Sequence, residues 1–360
     1  MMPMKALLAL GFLIFVGHCA AQASGSGSLQ TRLDGIFEPW TRGSVPGCAA
    51  GVMESGRWLA RGGYGSAEIE SGARLTTDTV FYAASVSKQF TAAALLHLVD
   101  QGRVSLEDDI RTHIPELPEY VPRITVRNLI HHTSGLPDFV TLLARAGTLH
   151  EFHTAAEIVA MLSARKPRYP AGLLFSYSNS NYFLLAEIVR HASGSTLRAY
   201  AKRALFEPLG MGDTRFNDDP SEVVPRYARG YVEEGLHNFR AVKTSYSQVG
   251  AGGLLTTIND LGKWVRVFSD PTAIPESPNL GQRLLEQGRL LDNQVIAYAF
   301  GLAIEKENEL DLVTHMGMFP GFTSSFTWIP KTKMAVMILC NSSEAPIQAI
   351  RGSVLREAVR

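Results

Sequence analysis

The sequence predicts an α/β (α+β) fold. One antiparallel sheet is built from both chain ends and flanked by helices, with an all-helical domain inserted between. Two strand-rich blocks and the stretch separating them point to this. Residues 47–56 (GCAAGVMESG) read as a strand of small residues, and residues 57–69 as its hairpin partner. Far downstream, residues 313–315, 323–329 and 335–340 read as three further strands joined by short turns containing Pro, Gly and Lys. Between the blocks, helical periodicity dominates. The expected layout is a leader over 1–23, a flexible linker over 24–30, a sheet domain from 31–104 plus 246–360, and a helical insert over 105–245.

Taken in order, the first 23 residues carry a lone cation, Lys5, then an apolar run over 6–16, then Ala21-Gln22-Ala23. Eleven apolar residues are too few to span a bilayer, and A-x-A is a leader cleavage pattern, so export to the periplasm or medium is expected. Lipid attachment at Cys19 is disfavoured by the bulky His18 before it. Residues 24–28 (SGSGS) have linker composition. An extended run over 77–82 gives way to an apolar helix over 83–100. Thr125 caps a helix that Gly135 ends, and helical periodicity marks 155–162 and 181–192. Residues 225–243 read as a β-ribbon. Thr257 and Asp260 form a capping box ahead of 261–268. Ile347, Ile350, Val354 and Leu355 give 345–360 the pattern of a terminal amphipathic helix.

The chain has 360 residues, 46% hydrophobic and 19% charged, enough for about two domains. Net charge is zero and no dense basic run occurs, which excludes a nucleic-acid partner. No apolar stretch is long enough for an integral membrane span. Export would leave Cys48 and Cys340; an oxidising compartment permits a bridge, but two buried free thiols is the favoured expectation. There is no C-x-x-C pair, and His150-Glu151-Phe152-His153 lacks the H-E-x-x-H spacing. No metal or organic cofactor is expected. His131-His132 reads as a structural pair capping helix carbonyls.

Ser85-Val86-Ser87-Lys88 sits at the predicted start of the 83–100 helix. A Ser there lies near free backbone N–H groups and the positive helix end, and a Lys three residues on shares its face. Nucleophile, amine and oxyanion donors in one place are the parts of an acyl-transfer site. S-x-x-K is short enough to arise by chance. Ser163-Ala164-Arg165-Lys166 repeats it, but Pro167 follows, so that Ser closes a helix. Two further motifs follow in order. Tyr177-Ser178-Asn179 is the only Y-x-N among eleven tyrosines, and His315-Met316-Gly317 is the only H-x-G among ten histidines. No G-x-S-x-G occurs, which argues against an α/β-hydrolase route to serine catalysis.

Together these motifs resemble the serine β-lactamase and penicillin-binding-protein superfamily. The branch they resemble holds class C β-lactamases, D-aminopeptidases, DD-carboxypeptidases and family VIII esterases. Val45-Pro46-Gly47, residues 124–137 (ITVRNLIHHTSGLP) and residues 250–257 (GAGGLLTT) extend the likeness over roughly 30–345. The resemblance implies a β-lactamase/transpeptidase-like fold and a serine hydrolase acting through an acyl-Ser85 intermediate on a small-molecule or peptide amide or ester. D-amino-acid peptides come first, then short esters, then β-lactams. The alternative is a penicillin-binding sensor that acylates without efficient turnover. In this reading Lys88 or Tyr177 activates Ser85, and Asn179 bonds Lys88 and the substrate amide. The amides of Ser85 and Met318 form the oxyanion hole, and Gly317 leaves room for substrate alongside the strand.

One position departs from the class C pattern: His315 stands where Lys-Thr-Gly carries its Lys. An imidazole of ordinary pKa, about 6.5, is mostly neutral at pH 7 and attracts a β-lactam carboxylate less than a lysine does. If its charge contributes to binding, kcat/KM should fall as pH rises through the His pKa.

Overall fold

A computed structural model describes residues 27–120, 122–235, 238–242, 246–307 and 309–360. The expected leader, Cys19 and most of the expected linker lie outside the described residues. The linker's last residues are helical: Ser28 caps α1 (Leu29–Phe37) by accepting the Thr31 N–H.

The hairpin β1 (Cys48–Glu54) and β2 (Arg57–Tyr64) follows, then the small pair β3 (Ser66–Glu68) and β4 (Ala73–Arg74). β5 (Phe81–Tyr82) leads through a 3-10 turn into α2 (Lys88–Asp100). Next come α3 (Val126–Ile130), α4 (Phe139–Ala146), α5 (Ala155–Ser163), α6 (Asn179–Ser193), α7 (Leu197–Ala201) and α8 (Glu207–Leu209). The insert expected to be all-helical also holds β6 (Arg215–Phe216), and the ribbon expected over 225–243 is β7 (Tyr231–Glu233) paired with β8 (Phe239–Ala241). β9 (Leu254–Thr256), α9 (Ile258–Trp264), α10 (Arg266–Ser269) and α11 (Leu280–Leu284) return the chain to the sheet. It ends with β10 (Ala303–Glu307), β11 (Leu310–Phe319), β12 (Phe322–Ile329), β13 (Met334–Cys340) and α12 (Ile347–Ala358).

The main sheet runs β10-β11-β12-β13-β1-β2 and is antiparallel throughout, so strands from the two ends of the sequence meet at β13 and β1. The edge strand β10 escapes the sequence pattern because its Glu305, Lys306 and Glu307 read as polar loop. Alternation along β13 sends Met334, Val336, Ile338 and Cys340 into the core beneath α1 and α12, and Ala335, Met337 and Leu339 into the core on the other face. Both faces are covered, which is why β13 reads as an unbroken apolar run.

Register decides the cysteines. Cys48 lies directly opposite Cys340, and the two form a disulfide in place of the expected free thiols. The expected capping box at Thr257 is half made. Thr257 accepts the Asp260 N–H, but the Asp260 carboxylate turns away to Asp213 N, Thr214 Oγ1 and Lys263.

Helix α2 runs through the larger core. Phe90 packs on Trp264 with ring centroids 4.3 Å apart, and Trp264 Nε1 donates to Gln89 Oε1 at 2.7 Å. Burying side chains of this size is worth roughly 1.5–3 kcal/mol each, which anchors the helix carrying Lys88. Among the described residues no helix is long and apolar enough to cross a membrane.

Candidate active site

Ser85 occupies the 3-10 turn Ala84–Ser87 between β5 and α2. Ala84 has φ +46°, a left-handed conformation that costs an L-residue about 1–2 kcal/mol. Neighbours hold it there. Ala83 N donates to Leu254 O at 2.8 Å, and Ser324 Oγ donates to Ala83 O at 2.7 Å. Ser87 Oγ donates to Ala84 O at 2.5 Å and accepts the Leu254 N–H at 3.0 Å. The middle serine of the motif therefore staples the turn to β9.

Lys88 opens α2 and is fully buried. Its Nζ meets Ser85 Oγ at 3.1 Å, Asn179 Oδ1 at 3.1 Å and Ala251 O at 2.7 Å. It also lies over the rings of Tyr177 (4.8 Å) and Tyr182 (5.7 Å). Burial drives its pKa down to about 7, partly opposed by the Asp138 charge. Ala251 belongs to the 250–257 glycine stretch, whose place is fixed when Thr91 Oγ1 donates to Gly250 O at 2.8 Å.

Tyr177 presents part of its ring to the cleft, while its hydroxyl hydrogen-bonds Ser85 and burial holds the phenol pKa above its usual value. Behind it stands His132, fully buried, its ring centroid 4.4 Å from that of Tyr177. His132 Nδ1 accepts from Ser178 N (3.2 Å) and Asn181 Nδ2 (3.0 Å), and burial and then the Lys88 charge hold the ring neutral. The His131 ring is buried against Phe300 and bonds the main chain at Tyr298 and Ala299. Neither ring caps the α3 carbonyls, contrary to expectation, because each is drawn sideways into the aromatic packing around the cleft.

His315 is buried on β11. Its Nδ1–H donates to Met316 O at 2.7 Å, which leaves Nε2 to accept from the Tyr298 hydroxyl at 3.2 Å. Burial, and then the Lys88 charge, push its pKa down to about 3. The imidazole is therefore neutral throughout pH 5–8, and the expected loss of activity with its deprotonation has no basis in this environment. Gly317 also departs from expectation. A Cβ there would fall 2.6 Å from Ala83 O and 2.3 Å from Ser324 Oγ. Its bareness lets β11 close on the nucleophile turn, leaving no space on that side for substrate. Met318 pairs with Thr323 and is exposed at the cleft mouth.

Ser85, Tyr177, Asn179, His315 and Met318 all line one cleft of about 550 Å³, with Lys88 beneath its floor. Phe175, Tyr246, Tyr298 and Phe319 make its walls aromatic. The sequence motifs did not single out Asp138, Tyr298 or the Ala251 carbonyl. Asp138 accepts from Asn179 N (2.5 Å) and Nδ2 (3.0 Å). It follows directly on the 124–137 stretch and caps α4, the one local signal it carries. Among the described residues no group of His, Cys, Asp or Glu is arranged to hold a metal ion. The arrangement can activate a serine hydroxyl against a carbonyl in a largely apolar cleft.

Known proteins resemble this chain in sequence and in fold. The family model described as Beta-lactamase matches residues 33–359. A D-aminopeptidase of Gluconobacter oxydans (strain 621H) is 28% identical over 302 residues, covering 83% of this chain and 56% of that protein. Penicillin-binding protein 4* of Bacillus subtilis (strain 168) is 28% identical over 309 residues, covering 81% of this chain and 67% of that one. The chain thus spans little more than half of the D-aminopeptidase. The crystal structure of D-amino acid amidase from Ochrobactrum anthropi SV3, complexed with L-phenylalanine amide, superposes with a TM-score of 0.76 at 25% identity, covering 91% of this chain and 98% of that one.

Proposed function

This chain belongs to the beta-lactamase family, and from that premise we propose that it is a serine hydrolase working through an acyl-Ser85 intermediate on small amides or esters, D-amino-acid amides and peptides first. The observation that carries this reading is the triple contact of Lys88 Nζ. Ala251 O and Asn179 Oδ1 can only accept, so they take two N–H bonds. Ser85 Oγ is the one partner able to donate. A lysine whose pKa lies near 7 is substantially neutral at neutral pH, and its lone pair then points at the serine proton.

Ser85 Oγ attacks the substrate carbonyl carbon and its proton passes to Lys88 Nζ. The amides of Ser85 and Met318 receive the oxyanion. Tyr177, protonated because burial raises its pKa, donates toward the leaving nitrogen or oxygen and is reprotonated from Lys88. The C–N or C–O bond breaks, leaving the acyl ester on Ser85. Water then attacks that ester, the bond between the acyl carbon and Ser85 Oγ breaks, the carboxylic acid leaves, and a proton from the water returns to Ser85 Oγ. The second N–H of Asn179 Nδ2, beyond the one held by Asp138, is available to the substrate carbonyl.

Charge favours the ranking of substrates. Among the described residues lining the cleft, Glu305 carries the charge. Arg351 pairs with both Glu305 (2.9 Å) and Glu307 (3.4 Å), so that trio keeps one net negative charge. A neutral His315 and the Glu305 carboxylate on the cleft wall favour a substrate amine over a carboxylate. The likeness to a D-aminopeptidase and to a D-amino acid amidase supports the same order. Export to the periplasm or medium is part of this proposal; the Cys48–Cys340 bridge supports it, since such bonds persist in oxidising compartments.

The likeness to penicillin-binding protein 4* favours a second reading, acylation without efficient turnover. One panel separates the two: a D-amino-acid amide, a D-Ala-D-Ala peptide, a p-nitrophenyl ester and a chromogenic cephalosporin, each followed by rate and by intact-protein mass. Free enzyme returning after amide or ester turnover is the expected result. A lasting adduct on Ser85 would replace the hydrolase with the sensor.

A further inference from the structure

We infer that Asp138 is a positioning residue of this site: its carboxylate sets which way round the Asn179 amide stands, and through it which face of the Lys88 amine is left for Ser85. The inference rests on the acyl-serine reading above and deepens it.

The two ends of an asparagine amide are nearly the same size, so shape alone cannot orient Asn179. Hydrogen bonding can. Asp138 Oδ2 only accepts, and it takes both the main-chain N–H of Asn179 (2.5 Å) and the side-chain Nδ2–H (3.0 Å). The NH2 end is thereby pinned on Asp138, and Oδ1 faces Lys88 Nζ at 3.1 Å. With the amide reversed, an N–H would point at Nζ and compete with the Ser85 hydroxyl for the amine lone pair.

Asp138 is itself held. Its other oxygen, Oδ1, caps α4, accepting from Thr141 N (2.8 Å) and Thr141 Oγ1 (3.0 Å). The segment before α4 is laced to the start of α6. Ser180 Oγ donates to Pro137 O at 2.6 Å and accepts the Phe139 N–H at 2.9 Å, and Ser134 Oγ donates to Asn181 Oδ1 at 2.6 Å. The two carboxylate oxygens therefore have separate duties, one toward the helix and one toward the site.

The carboxylate also acts on Lys88 through its charge. The titratable groups facing Lys88 are Asp138, Tyr177 and Tyr182 from the insert, His132 behind Tyr177, and His315 from β11. The two histidines are neutral and both tyrosines are protonated. Asp138 is thus the charge that sustains the ammonium form against burial. Removing it makes Lys88 lose its proton at lower pH.

The test compares wild type, Asp138→Asn and Asp138→Ser. Serine caps helices about as well as aspartate, so the second variant keeps the α4 cap while losing the carboxylate. Two readouts are taken across pH 4–9: the rate of Ser85 labelling by a fluorophosphonate, and the titration of Lys88 by NMR of lysine labelled with carbon-13 at Cε. The expected result is a labelling rate roughly 10- to 100-fold lower in both variants. The Lys88 titration and the acid limb of labelling both move to lower pH, with thermal stability of Asp138→Ser near wild type. Wild-type labelling and an unmoved Lys88 titration in Asp138→Ser would reduce Asp138 to a helix cap and overturn the inference. A wild-type protein whose Ser85 resists labelling at every pH would sink the acyl-serine reading instead, while the lysine titration would still decide the role of Asp138.

Discussion

Ser85-x-x-Lys88 and Ser163-x-x-Lys166 have the same spacing and opposite fates. The first lies in a 3-10 turn feeding α2, so its lysine begins a buried helix and turns back onto the serine. The second ends α5. Ser163 Oγ donates to Val159 O at 2.8 Å and to Glu116 O at 3.1 Å, and Lys166 is exposed beyond the helix. One hydroxyl meets an amine whose pKa burial lowers to about 7. The other is spent on carbonyls that cannot take its proton. The residue pattern supplies the groups, and burial of the lysine supplies the reactivity.

The widest break between the two copies should come from Ser85→Ala, with a loss of roughly 10⁶ in kcat and no fluorophosphonate labelling. Retained turnover would remove the covalent mechanism. Lys88→Ala should cost about 10²–10⁴-fold, the usual reach of a general base. A subtler contrast lies in pH. With the Lys88 pKa near 7, kcat/KM should rise with pH through about 7, because the free amine is the active form. His315, held neutral, should contribute no limb between pH 5 and 8. A fall in kcat/KM over that interval would restore a charged histidine and contradict the geometry. The smallest effect belongs to the second copy: Ser163→Ala and Lys166→Ala should leave kcat unchanged and stability within about 0.5 kcal/mol, read by thermal melting. A rate change in either would show that burial is not what separates the two.

Much of this was legible in the sequence because it is local. Period-two and period-3.6 patterns located the main-sheet strands other than β10 and helices α2, α3, α5, α6, α9 and α12, and the three motifs named five of the side chains that line the cleft or lie under it. What escaped depends on tertiary register. Ala251 acts through a carbonyl, which has no signature in its side chain. Asp138 and Tyr298 have ordinary local readings, a helix cap and a core aromatic, and gain meaning only from the residue brought opposite them. The disulfide followed from Cys48 facing Cys340 across β1 and β13, a pairing that no spacing along the chain encodes. Edge strand β10 was missed because its polar residues suit an edge and a loop equally well.

The seat of Ser85 has a further consequence, in time. The turn that carries it is fastened by Ser324 on β12 and pressed by Gly317 on β11, more than 230 residues further along the chain. The sheet that supports these strands also needs β13 to join β1. Contacts of such long sequence separation form late, and synthesis delivers the nucleophile well before its supports. A nascent or truncated chain ending before β11 would carry Ser85, Lys88, Tyr177 and Asn179 and still lack an assembled site. Assembly of the Ser85 turn is thus coupled to completion of the sheet, and a chain truncated before β11 should show no Ser85 labelling by a fluorophosphonate.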